Sequence, residues 1–125
     1  MLVVLMLTGI SAVHAQESSK DWRELKNFHS LISSTFHPAE EGNFTPLKEK
    51  ADSLLLAAKN WQTSPIPAEF KPAETKAALK KLVAQCKAVK KAVDEKASND
   101  VLMKQITGAH NVFHTLVGEC RKADE

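Results

Sequence analysis

Four of the five histidines in this 125-residue chain fall into two pairs, His29 with His37 early in the sequence and His110 with His114 near its end. Imidazole is the commonest protein metal ligand, and it is the one side chain whose unperturbed pKa lies near neutrality. His110 and His114 stand at i, i+4, a spacing that points two side chains of a helix the same way, so together they make a two-ligand unit. Glu does not follow the first histidine, so the zinc-protease pattern is not met. Cys86 adds a thiol to the inventory. Neutral imidazole and thiolate suit zinc or copper, and four such donors fill a tetrahedral shell.

Helices must position these groups. The apolar residues recur at three and four, and no stretch alternates for long, so an all-α fold is expected. The first helix is predicted from about Lys20 to His37, with Trp22, Leu25, Phe28, Ile32 and Phe36 on one face and Pro38 as its stop. The second opens at Thr45-Pro46, an N-cap hydroxyl followed by a proline suited to the first helical position, and closes at Ser64-Pro65. The third begins near Pro72 and carries Leu79, Leu82, Val83, Cys86, Val89 and Val93; Ala97-Ser98-Asn99 then supplies a turn and a cap. The fourth runs from Asp100 to about Arg121 on Leu102, Ile106, Ala109, Phe113, Leu116 and Cys120. Short connections make consecutive helices neighbours, which predicts an antiparallel up-and-down four-helix bundle.

Counting down from the loops near Glu41 and Ser98 places His29, His110 and Cys86 each about twelve residues below one end, in a single layer, with His114 one turn lower. His29 and Cys86 fall within the apolar stripes of their helices, whereas His110 and His114 lie on a flank, at the seam with a neighbouring helix. By this count His37 stays apart from the other three, near Glu40, Glu41, Asn99 and Asp100, oxygen-rich groups of the kind that hold a cation. An imidazolium there is also favoured by the helix dipole.

One domain accounts for the length. Residues 1–15 combine an apolar run, Leu2 to Ile10, with small residues around Val13-His14-Ala15, and read as a secretory leader cleaved after Ala15. They are too few to span a membrane. The bundle is thus assigned to 16–125, periplasmic or secreted, with no membrane insertion after cleavage. Net charge is +2. The lysines between Lys71 and Lys96 lack the interleaved aromatics of a base-stacking surface, so nucleic acid is not an expected partner. Two cysteines in an exported chain ordinarily suggest a disulfide, but Cys120 falls about 18 Å below Cys86 at the helical rise, beyond bridging distance. Cys120 is left free or bridging two copies, which keeps a homodimer open.

The helix order, the exported context and the ligand-bearing last helix resemble the four-helix cytochromes of the c-prime type and their non-covalent b-haem relatives. That family carries CxxCH on its last helix; here the stretch reads His110-Asn111-Val112-Phe113-His114. The resemblance implies that His114 is an iron ligand with His29 opposite it. His110 and Phe113 stand where the thioether cysteines would be, so covalent haem is excluded and b-type haem is what the resemblance leaves. The same chain resembles small exported helical proteins with a Phe-His-Pro-Ala-Glu-Glu-Gly segment and a late Val-Phe-His.

The expected function is therefore binding of a transition metal ion, zinc or copper, through His29, His110 and His114, with Cys86 and His37 as further candidates. A b-haem protein for electron transfer or gas binding is the alternative, and a cofactor-free structural or partner-binding bundle the next. No nucleophile, base and orienting group come together in the sequence, so catalysis is not expected.

Overall fold

Apolar residues spaced at three and four bury one face of each of four helices, and a computed structural model of the chain, describing residues 22–122, shows how those faces meet. The expected leader, with His14, lies outside the described residues. The helices are α1 (Arg23–Glu40), α2 (Thr45–Thr63), α3 (Pro72–Asp94) and α4 (Asn99–Gly118). They form an antiparallel up-and-down bundle in which each helix packs closely on the next in sequence, while α1 and α4 meet more sparsely and close the ring. None of the described helices is long and apolar enough to cross a membrane.

The helix ends follow local chemistry, with corrections to the expected boundaries. Pro38 does not stop α1, which carries it in the last turn and runs on through Glu40. Lacking an N–H, proline forfeits one helical bond, but the turn is closed from beyond: the N–H groups of Glu41 and Asn43 donate to the Pro38 carbonyl at 3.0 and 2.9 Å, and that of Gly42 to Ala39 at 2.9 Å. Gly42 takes φ 90°, which suits a residue without Cβ. Thr45-Pro46 does open α2, but the N-cap position is Phe44, which makes no side-chain cap bond, and Asn43 Oδ1 just before it accepts from the Thr45 N–H at 3.2 Å. Ser98 caps α4 as expected, its Oγ accepting from Val101 N–H at 3.3 Å.

Helix α4 ends at Gly118, short of Arg121, because the chain beyond it turns to pair with the α2–α3 connection. The Lys71 N–H donates to the Cys120 carbonyl at 2.8 Å and the Lys122 N–H to Glu69 at 2.7 Å, making an isolated antiparallel bridge between Phe70 and Arg121. The Arg121 guanidinium sits over the Phe70 ring at 5.3 Å.

Aromatic side chains fill the middle and this lower end. Phe28 of α1, Trp61 of α2 and Phe113 of α4 meet with ring centroids 5.6 to 6.0 Å apart, all three buried. Below them Trp22 sets its ring edge-on to Trp61 and Phe70, at 5.6 and 4.9 Å, and donates its indole N–H to Ser64 Oγ at 3.0 Å. On the far side, α3 and α4 approach closely at Gly108, where a Cβ would lie 2.8 Å from the Gln85 amide. That amide donates to the carbonyl and side chain of Gln105 at 3.1 and 2.8 Å.

The cysteines are both free and both buried. Burial pushes the Cys86 thiol up to about 12, so it stays protonated at neutral pH and acts as a small apolar core residue. Cys120 is also raised, chiefly by burial, with the neighbouring Thr75 side chain working against it. Only 2% of Cys120 is exposed, so a bridge between copies would require this end of the bundle to open first.

Phe28 touches rings from two other helices at the level where the bundle closes. Phe28→Ala is expected to cost about 3–5 kcal/mol in denaturant unfolding, and a loss below about 1 kcal/mol would mean that the aromatic contact does not hold these helices together.

Candidate functional site

The four histidines of the described chain line the seam between α1 and α4. On α1, His29 and His37 flank Ser33 and Phe36; on α4, His110 and His114 flank Phe113. Each histidine lies beside the buried stripe of its helix and faces outward: His29, His37 and His114 are exposed and His110 is half-buried.

His110 is at the centre of the group. Its ring stacks on Phe36 at 3.9 Å with only 11° between planes, so the buried phenylalanine of α1 fixes the height and tilt of an imidazole from α4. His114 presents its ring edge-on to His110, with centroids 4.4 Å apart and planes at 80°. His37 approaches His110 from the other helix at 6.2 Å. Its Nδ1 lies 3.2 Å from Glu40 Oε1, three residues on in the same turn. Lower on the seam, His29 stacks on Phe113 at 5.2 Å, and Phe113 is 5.9 Å from His114.

This placement corrects the expected layer. His110 pairs in height with Phe36 and His37, and His29 with Phe113, so the two helices are displaced from the counted register. Counting from the loops assumes that the ends of α1 and α4 are flush, and the ring contacts between the two helices show that they are not. His37 consequently joins His110 and His114, and His29 is the histidine at the far end of the row. His29 also lies on the exposed edge of its helix, not within the apolar stripe. Cys86 belongs to the core and to a different group: it is fully buried on α3. Among the described residues, no group of three or more His, Cys, Asp or Glu side chains is so placed that it could hold a metal ion with the side chains as they stand.

For the haem arrangement implied by the cytochrome resemblance, His114 and His29 would face each other across an interior plate. In the structure both are exposed, and Phe113 stands between them in contact with Phe28 and Trp61. A porphyrin entering here would have to displace those three rings.

Electrostatics single out the same residue as the geometry. The His110 pKa is lowered, first by desolvation and then by the neighbouring imidazoles of His114, His37 and, least, His29, with Glu40 opposing them. His110 therefore favours the neutral, lone-pair-bearing form in which imidazole binds a metal.

Phe36, Phe113 and Glu40 form the working surroundings of the seam, and the first two read in the sequence only as core residues. A signal was present: Phe-His occurs three times, at 28–29, 36–37 and 113–114. On a helix, adjacent positions differ by about 100°, so a phenylalanine at the inner edge puts the following histidine at the rim.

A histidine with a depressed folded-state pKa binds its proton less readily folded than unfolded, so its contribution is complete above the unfolded value and stability falls as pH drops below it. The metal-free protein is thus expected to lose stability between about pH 7 and pH 5, and His110→Gln should flatten that slope in denaturant melts. An unaltered slope in the variant would assign the pH dependence to other groups.

No protein-family model, curated protein or solved structure matches this chain.

Proposed function

We propose that this protein is an exported four-helix bundle that binds a transition metal ion, zinc or copper, at the α1–α4 seam, as a sequestering or carrying protein. The observation that carries the reading is the pair His110 and His114, one helical turn apart with rings 4.4 Å from each other. Two imidazoles so placed can share one ion by side-chain rotation alone. The Phe36 stack keeps His110 in place, and the exposure of His114 leaves it free to turn inward. Burial and neighbouring imidazoles lower the His110 pKa, which lessens the proton competition that weakens histidine sites as pH falls. Cys86 is left out of the ligand set, because a buried thiol with its pKa near 12 does not offer thiolate. Metal is favoured over haem by the filled interior beside His114 and by the solvent-facing side on which the histidines lie.

A metal that binds only the folded chain raises stability according to its concentration over Kd, about 2.7 kcal/mol at one hundred times Kd. Thermal melts with zinc and with copper are expected to rise by several degrees in the parent, to return to baseline with chelator, and to stay unmoved in His110→Ala/His114→Ala. A parent melting curve indifferent to both metals would remove the metal-binding function, and an absorption band of haem in protein purified from its host would replace it.

A further inference from the structure

The position of His37 suggests a third ligand, one whose orientation is already fixed by its own helix. Resting on the metal-binding reading above, we propose that His37 joins His110 and His114 as a three-imidazole site, and that Glu40 is the positioning residue that aims His37 at the ion.

Zinc–nitrogen bonds of about 2.0–2.1 Å in a tetrahedral shell put imidazole centroids roughly 5 Å from one another. The separations found are 4.4 Å for His110–His114 and 6.2 Å for His37–His110, one slightly short of that spacing and one slightly long. His110 is the fixed member, held against Phe36. The other two have room: His37 is 62% exposed at its side chain and His114 lies on the solvent side. Gathering the three thus takes rotation of two surface side chains and leaves the helices where they are.

Glu40 gives the arrangement its direction. A carboxylate accepts and does not donate, so the 3.2 Å contact with His37 Nδ1 selects the tautomer with its proton on Nδ1 and leaves Nε2 with the lone pair. A carboxylate behind a ligating imidazole is a recurrent arrangement in metal sites; it sets the ring and raises the basicity of the donor nitrogen. The last turn of α1 carries both His37 and Glu40, and His37 lies 6.2 Å from His110 of α4. His29 is not part of this site; it is occupied with Phe113 at the lower end of the seam. Three protein ligands leave the fourth tetrahedral position to solvent, so the ion stays exchangeable.

The test is zinc titration calorimetry on the purified protein, with His110→Ala/His114→Ala as the reference for loss of the site. His37→Ala is expected to weaken zinc by at least tenfold. Glu40→Ala should weaken it about 10–100-fold, whereas Glu40→Gln, which keeps an oxygen able to accept from Nδ1–H, should recover most of that loss. In the metal-free protein, long-range nitrogen–proton spectra should show His37 protonated on Nδ1 in the parent and in Glu40→Gln, and shifted toward the Nε2–H form in Glu40→Ala. Circular dichroism of the His37 and Glu40 variants should match the parent, since both side chains are exposed. If His37→Ala binds zinc as the parent does while the double variant does not, the metal site stands and the third ligand is wrong. Equal losses in Glu40→Ala and Glu40→Gln would show that Glu40 acts by charge, and the orienting role would fall.

Discussion

Phe113 is the contact on which the rest of the molecule depends. From α4 it reaches Phe28 of α1 and Trp61 of α2, and so ties together three helices, including α1 and α4, the pair that closes the ring. The α1–α4 pair is the sparsest interface of the ring, and aromatic area is what makes it adequate: large flat side chains bury much surface from a few positions and prefer the tilted geometries seen here. The same ring is also the platform on which His29 rests. Packing and candidate chemistry therefore share one side chain.

A bundle whose four interfaces were equally tight would have no place for a row of imidazoles. At α3–α4 the helices pack closely, and Gly108 lies against the Gln85 side chain. At α1–α4 the approach is looser, and phenylalanines fill its inner edge while histidines occupy the rim. The difference follows from residue size at the contact: small residues draw backbones together, and rings hold them apart. Ligand-bearing positions are thus a by-product of which seam is propped open by aromatics, with Phe36 and Phe113 as the props.

Much of the fold was legible in the sequence. The apolar stripes gave four helices, and Pro46, Pro72 and Ser98 marked three of their starts, because periodicity and capping are local and survive in one dimension. That Cys86 and Cys120 are not bridged to each other followed from helix length alone. The grouping of histidines was not legible, because it depends on how far one helix slides along another. Pro38 reads as a stop, and only the carbonyl contacts made by Glu41, Gly42 and Asn43 let α1 continue past it. The slide of α4 along α1 sets His37 at the level of His110 and leaves His29 away from it. Angular position was read better for α4 than for α1: His110 and His114 do lie on the flank facing another helix, while His29 is further round its helix than the stripe suggested. Phe36 and Phe113 were recognised as core but not as supports, since a stacking partner is a property of the pair.

The bridge between Phe70 and Arg121 has a mechanical meaning for the seam above it. It clasps the tail of α4 to the α2–α3 connection, while Trp22, bonded to Ser64 and set against Trp61 and Phe70, anchors the foot of α1 to the same place. The 41–44 turn tethers the other end of α1 to α2. The helix bearing His29 and His37 is therefore a beam pinned at both ends, free along its length only to let side chains turn. Spacing between the two rows of histidines is set by the frame, and aim is left to the individual rings.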